Sequence, residues 1–516
     1  NPDGSDAVDL RYQSYEIVPG KYDIPGLPAL YGNPEDADTL KITLKDPVTG
    51  LRAVLYYSVW EKQDIITRSV RFYNENENPI ILKKAVSMNL DLMHGQWELI
   101  HFHGRHCMER QMERIPVMSG KMEVRSTRAS SSHHHNPFAI LCAPETTETD
   151  GPCYGVGLVY SGNYSIQLEK DQMNQVRLTA GIAKELFAWQ LDPRAEFCTP
   201  EAVMTFSGQG LEKLSSNFHH IVREHLCRGK YKHARRPVLL NNWEATYFDF
   251  NSEKILEIAR GAADLGVEML VLDDGWFGAR NDDYRGLGDW YVNLEKLPDG
   301  IRGLSEKVEE LGLKFGLWVE LEMVNKDSDL YRAHPDWVIG VPGRFESHSR
   351  HQHVLDYSRK EVVDAIYEMI SRVIRDARIS YIKWDMNRSI ADVYSATADS
   401  QGRVLHDYVL GLYDFLERLV NRYPNILIEG CSGGGGRFDA GMLYYTPQIW
   451  CSDNTDPIDR LEIQYGTSFI YPASCVGSHV SASPNHQTER VTPMKTRGTV
   501  ALAGTFGYEL NLNELS

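Results

Sequence analysis

Two short segments carry the residues best suited to chemistry, YIKWDMNR at 381–388 and IWCSDNTD at 449–456. Each is an apolar run that stops on polar and acidic residues, as a buried parallel strand does when it delivers side chains to a site. In the first, Lys383, Asp385 and Asn387 alternate with Ile382, Trp384 and Met386, and a period of two sends the polar set to one face. Polar side chains on an inward face need partners or a ligand. Lys383 beside Asp385 would hold that carboxyl ionised, because a nearby cation favours the charged form. The second segment delivers Asp453 and also offers Asp456, and spacing alone does not choose between them. Two carboxylates facing each other across a pocket are the minimal machinery for cleaving a glycosidic bond: one attacks or activates water, the other protonates the leaving oxygen.

Other segments supply groups that could recognise a ligand. LDDGWF at 272–277 sets Asp273 and Asp274 side by side. They read as helix caps, as part of a metal site lacking further oxygen ligands, or as acceptors for two sugar hydroxyls. The glycine cluster GCSGGGGRFD at 430–439, with Cys431 and Gly434, fits neither phosphate-cradle pattern; close approach of backbone to a ligand is the better account. Trp243 and Trp318 close apolar runs and are either core or the floor of a sugar ring. Arg350, in GRFESHSRHQHV, is placed to clamp a ligand. The triplet His133 to His135 reads as a surface loop.

Composition narrows the classes. The chain has 516 residues, 42% of them hydrophobic and 24% charged, with a formal charge of −17. No basic stripe is present, which argues against nucleic acid, while 27 Tyr and 10 Trp suit a neutral, ring-shaped ligand. Eight cysteines are scattered without a CxxC pair, as in a reduced cytoplasmic protein with neither a zinc site nor a disulfide framework. No apolar run reaches the roughly 18 residues a membrane span needs, and NPDGSDAVDL has no signal-peptide pattern.

The elements that must position these residues follow from periodicity. From about residue 37 to 207, short alternating runs such as RAVLYYSVW and YSIQLEK alternate with Gly, Pro and Asn, which predicts an antiparallel β-sandwich over 1–209. Residues 210–227 change to a helical period, and RGKYKHARRP at 228–237 reads as a solvated turn; 210–236 is therefore a linker helix and connection. From 237 to 516, apolar strands alternate with helices. The expected strands are 238–245, 269–277, 314–324, 353–358, 381–386, 426–434, 449–454 and 500–510. Eight strands in βα alternation predict a TIM barrel, with a doubly wound sheet as the alternative.

LDDGWF, GLWVELEMV, HPDWVI, VLDYSR, YIKWDMNR, IEGCSGGGGRFD, WCSDNTD and GSHVSASPNHQT, in that order, resemble the signature of glycoside hydrolase family 36, the microbial α-galactosidases. The resemblance implies an N-terminal β-supersandwich, a catalytic (β/α)8 barrel and a small C-terminal β-domain in a homo-tetramer. It implies further sandwich residues before Asn1, and a last barrel helix and the β-domain after Ser516. It also implies retaining hydrolysis of terminal α-1,6-galactose in melibiose, raffinose and stachyose without metal or organic cofactor. In that scheme Asp385 is the nucleophile and Asp453 the acid/base, with the higher pKa of the two. Asp273 and Asp274 match the pair that binds galactose O4 and O6. Lys383, Asn387, Arg350, Trp243 and Trp318 match sugar-contacting positions, and Cys431 with Gly434 the loop that reads the 2-position. Val319 and Leu321 depart from the usual GLWFEPEMV, removing a proline beside the site. A raffinose-synthase-like transferase, an α-N-acetylgalactosaminidase or an idle sugar-binding protein would share much of this pattern.

Overall fold

The computed structural model describes residues 1–347 and 349–515. The first half is a sandwich of antiparallel sheets. One large sheet runs from Arg11–Pro19 at one edge to the hairpin of Glu98–Arg105 and Met108–Pro116 at the other. A four-stranded sheet of Val86–Leu92, Val176–Ile182, Tyr164–Lys170 and Gly120–Ser126 forms the second layer. Alternation explains the outer strands: in Leu51–Trp60, Ala53, Tyr56, Ser58 and Trp60 are buried while Val59 is exposed. His135–Cys142, apart from its first residue, is buried throughout, with Phe138 under the helix Gly210–Ile221 and Asn136 bonded to Phe438 and Tyr471 of the barrel half. Phe218 meets Phe138 edge-on at 5.0 Å, and a Cβ on Gly155 would strike Phe218 at 2.6 Å. That glycine lets the helix sit down on the sheet.

The helix predicted after residue 210 is present and ends in a π-turn, Val222–Leu226. The basic stretch behind it is not a solvated turn. Arg228 pairs with Glu417 and stacks on Tyr444, and Arg236 donates to Gln448 Oε1 and to the carbonyl of Pro447. The connection is bolted to the barrel.

Eight parallel strands close that barrel: β1 Leu239–Asn241, β2 Met269–Leu272, β3 Lys314–Val319, β4 Ile379–Trp384, β5 Leu427–Gly430, β6 Gln448–Trp450, β7 Val476–Ser481 and β8 Thr505–Glu509. Two expectations are corrected. Residues 353–358 are not a barrel strand; Gln352–Val354 pairs antiparallel with Met323–Asn325 in a small hairpin beyond β3. The missing strand is β7, VGSHVS, whose polar residues are buried because Ser478 donates to Gln464 and His479 pairs with Glu509 at 3.2 Å. The apolar run from residue 500 is split between the end of the helix Met494–Ala501 and β8.

Candidate active site

The C-terminal ends of the barrel strands surround a cavity of about 560 Å³. Lys383 lies in β4, which ends at Trp384, yet the alternation persists: Lys383, Asp385 and Asn387 line the cavity. Trp384 instead packs edge-on against Phe415, 5.0 Å away on the helix Val404–Arg422. Asp385 Oδ1 accepts from the amides of Met386 (2.8 Å) and Gly433 (3.1 Å), and Oδ2 from Asn387 Nδ2 (2.9 Å) and Trp318 Nε1 (3.2 Å). This donor set matches a carboxylate, which only accepts. Lys383 interacts with Asp385 through space, but its ion pair is with Asp273, whose Oδ2 lies 3.0 Å from its amino group. Burial works against the Lys383 charge, but Asp273 and Glu509 raise its pKa well above the ordinary value.

Asp273 also accepts from Asn241 Nδ2 at 2.6 Å, and Asp274 is held by the fully buried Arg280 through Nε and Nη2 at 3.0 and 2.8 Å. A buried carboxylate needs such partners. Both acids line the cavity, as do Trp243, Trp318 and Arg350. Arg350 reaches Asp283 at 3.2 Å, and it and His351 both adopt left-handed backbone, with φ of 53° and 57°, strain of the kind that concentrates at ligand sites. Cys431 and Gly434 stand behind the wall, and Gly433 forms the lining there. Gly434 has φ +75°, and a Cβ on it would meet the amide of Asp453 at 2.5 Å. Leu321 is fully buried, and its carbonyl accepts from Tyr357 at 2.8 Å.

The two acids of SDNTD separate cleanly. Asp456 caps the helix Pro457–Ser468, accepting from the amides of Ile458 and Asp459, and binds Thr488 and Arg490. Asp453 faces the cavity, with Trp450 Nε1 3.2 Å from Oδ1 and His106 Nε2 2.9 Å from Oδ2. Burial pushes the Asp453 carboxyl up, but the hydrogen bond and charge of His106, helped by Lys383 and Arg350, bring it below the usual carboxylate value. The high pKa expected for Asp453 is therefore not found. The same contact, with Cys107, pushes His106 up to about 10.

His106 comes from the sandwich, at the tip of the Glu98–Pro116 hairpin, and His133, read as a surface-loop residue, also lines the cavity and contacts the carbonyl of Gly433 at 2.6 Å. Sequence reasoning missed both, together with Glu244, Tyr247, Trp450, Thr455, His486, Gln487 and Glu509. Trp450 and NHQT lay inside quoted motifs and were within reach. Glu244 is pushed up to about 8 by burial and by the nearby Glu509. Among the described residues, no three His, Cys, Asp or Glu side chains are grouped to hold a metal ion.

Known proteins match along the whole chain. A family profile described as glycosyl hydrolase family 36 N-terminal domain covers residues 1–192, and one described as Melibiase covers 196–516. The chain is 53% identical to a bifunctional alpha-galactosidase/sucrose kinase, AgaSK, of Mediterraneibacter gnavus, over 99% of its own length and 54% of that protein's. It is 51% identical to alpha-galactosidase AgaA of Geobacillus stearothermophilus, over 99% of its own length and 71% of that protein's. The crystal structure of AgaA superimposes with a TM-score of 0.99 at 50% identity, covering 100% of this chain and 72% of that one. AgaA variants have been solved with stachyose and with raffinose. Profile, identity and fold thus agree, and the chain belongs to glycoside hydrolase family 36, the α-galactosidases.

Proposed function

We propose that this protein is a retaining exo-α-galactosidase that removes terminal α-1,6-linked galactose from melibiose, raffinose and stachyose. The observation that carries this reading is the pairing of Asp385 and Asp453 on one tryptophan-lined cavity. Asp385 is the nucleophile. Its carboxylate attacks the anomeric carbon while Asp453 delivers a proton to the leaving oxygen; water, deprotonated by Asp453, then cleaves the galactosyl ester and returns Asp385. The donors from Asn387, Trp318 and the 386 and 433 amides fix the attacking oxygens before substrate arrives, so little reorganisation is needed during reaction. Asp273 and Asp274 accept from galactose O4 and O6, Lys383 and Arg350 add donors, Trp243 and Trp318 flank the ring, and Gly434 with Cys431 keeps the wall at the 2-position close. Retention requires carboxyl groups about 5 to 5.5 Å apart.

Proton NMR of p-nitrophenyl α-galactoside turnover tests substrate and stereochemistry together. We expect α-galactose to form first; β-galactose would overturn the reading. Asp385→Ala should lose turnover, with azide restoring a galactosyl azide product. Assembly into a homo-tetramer rests on the family resemblance and is measurable by light scattering. Eight unpaired cysteines fit a cytoplasmic enzyme. Among the described residues, no helix is long and apolar enough to cross a membrane.

A further inference from the structure

The contact between His106 and Asp453 joins two domains at the reacting end of the cavity. His106 occupies a two-residue turn between Arg105 and Met108. Its neighbour Cys107 has φ 66°, a left-handed conformation that is strained for a non-glycine residue. The turn is latched to the loop it touches: Asn454, next to Asp453, donates from Nδ2 to the carbonyl of Cys107 at 3.1 Å, and Cys107 Sγ lies 3.7 Å from Gln487 Oε1. A strained turn tied to the residue after the acid/base is a device for holding one side chain in one place. That side chain is the His106 imidazole, 2.9 Å from Asp453 Oδ2.

We propose that His106 shares the acid/base proton with Asp453, so that the pair rather than the carboxyl alone is the proton donor of the first step and the acceptor of the second. The proposal rests on the reading of Asp453 as acid/base. In the open site the shared proton resides on the imidazole, facing a carboxylate. A neutral sugar that displaces water makes the ion pair costlier than the neutral tautomer, and the proton crosses from His106 Nε2 to Asp453. As Asp385 forms its ester and the anomeric C–O bond breaks, the leaving oxygen takes that proton, leaving neutral imidazole and carboxylate. In the second step Asp453 takes a proton from the attacking water, the ester breaks, and the pair again holds one proton. The balance closes with substrate and water alone.

The groups facing the pair act on where the proton rests. On the hairpin, Cys107 Sγ lies 3.4 Å from His106 Nδ1, and Glu109 stands behind Cys107. From the second sandwich loop, His133 meets the His106 ring at right angles, 5.6 Å away. From the barrel, Lys383 and Arg350 favour the Asp453 charge, whereas Asp453 and Glu509 repel each other. His106 is pushed up to about 10, so the pair keeps its proton well above the pH at which a lone carboxyl loses it.

The test is kcat/KM against pH for wild type and His106→Gln, with melibiose, whose leaving oxygen needs a proton, and 2,4-dinitrophenyl α-galactoside, whose leaving group does not. His106 is 56% exposed through its side chain, and the dinitrophenyl rate checks that the variant is folded and competent. We expect the alkaline limb on melibiose to move down by about two pH units, with a loss that reaches about 10²-fold only above the wild-type limb and stays below about threefold at pH 5. The dinitrophenyl rate should stay within about threefold throughout. An unmoved alkaline limb, or equal losses on both substrates at every pH, overturns the proposal. Failure of the underlying reading looks different: Asp453→Asn would then turn over melibiose at the wild-type rate.

Discussion

Asp385 and Lys383 were legible as residues because a period of two survives past the end of β4, but their partners were not. Lys383 serves Asp273 across the barrel, 110 positions away in sequence, and no local spacing encodes that pairing. Breaking one member of a buried pair leaves the other uncompensated. Lys383→Met should therefore lower unfolding free energy by about 3 kcal/mol in a urea titration, with kcat/KM falling as well. Glu320 is a second buried acid that periodicity could not flag. It accepts from the amide of Asn387 at 2.5 Å and from Gln352 Nε2 at 2.9 Å, and burial, then the charge of Asp385, push it up to about 8. Its folded pKa lies above its ordinary 4.5, so the folded state binds the extra proton. The contribution of this one group to stability is then fully present below pH 4.5 and is lost as pH rises to about 8. Glu320→Gln should flatten that decline in thermal melts taken at pH 5, 7 and 8.5; an unchanged slope would show that Glu320 ionises freely.

At the scale of elements, apolarity misdirected the reading twice in the barrel. HVLDYS looks like a strand but begins in the hairpin that extends β3, whereas VGSHVS is a true barrel strand that is not among those expected. The difference is physical: β7 is buried through hydrogen bonds to Gln464 and Glu509, and single-sequence patterns see polarity but not its satisfaction. The glycine loop after β5 reads as a place where backbone approaches a ligand; at Gly434 the close approach is instead to the chain itself, at the backbone of Asp453. Gly434→Ala should displace it and cost about 10²-fold in kcat, since misplacements of about 1 Å have that effect, with little change in the far-ultraviolet circular dichroism.

For the whole molecule, the order of sandwich, helix and barrel was readable from changes of rhythm, but the interlock was not. His106 and Asp453 are 347 positions apart. The same hairpin sends Arg110 into the barrel, where its buried guanidinium donates to Thr467 Oγ1 and to the carbonyls of Gly435 and Cys451 at 2.6, 3.0 and 2.6 Å. Arg110→Ala would strand those acceptors at a cost of about 3 kcal/mol and lower the melting midpoint of sandwich and barrel together in calorimetry. A chain of residues 237–516 alone should show no turnover of raffinose even where it stays in solution.

Because the Arg110 guanidinium is gripped by barrel carbonyls at residues 435 and 451, that grip constrains loop shape more than side-chain identity there, whereas Cys107 is held by the Asn454 side chain. A hybrid joining this sandwich to a relative's barrel should succeed where those loops keep their length and Asn454 and Thr467 are retained, and fail after one insertion there. The recombining unit is thus a pair of matched surfaces that the linker joins but does not define.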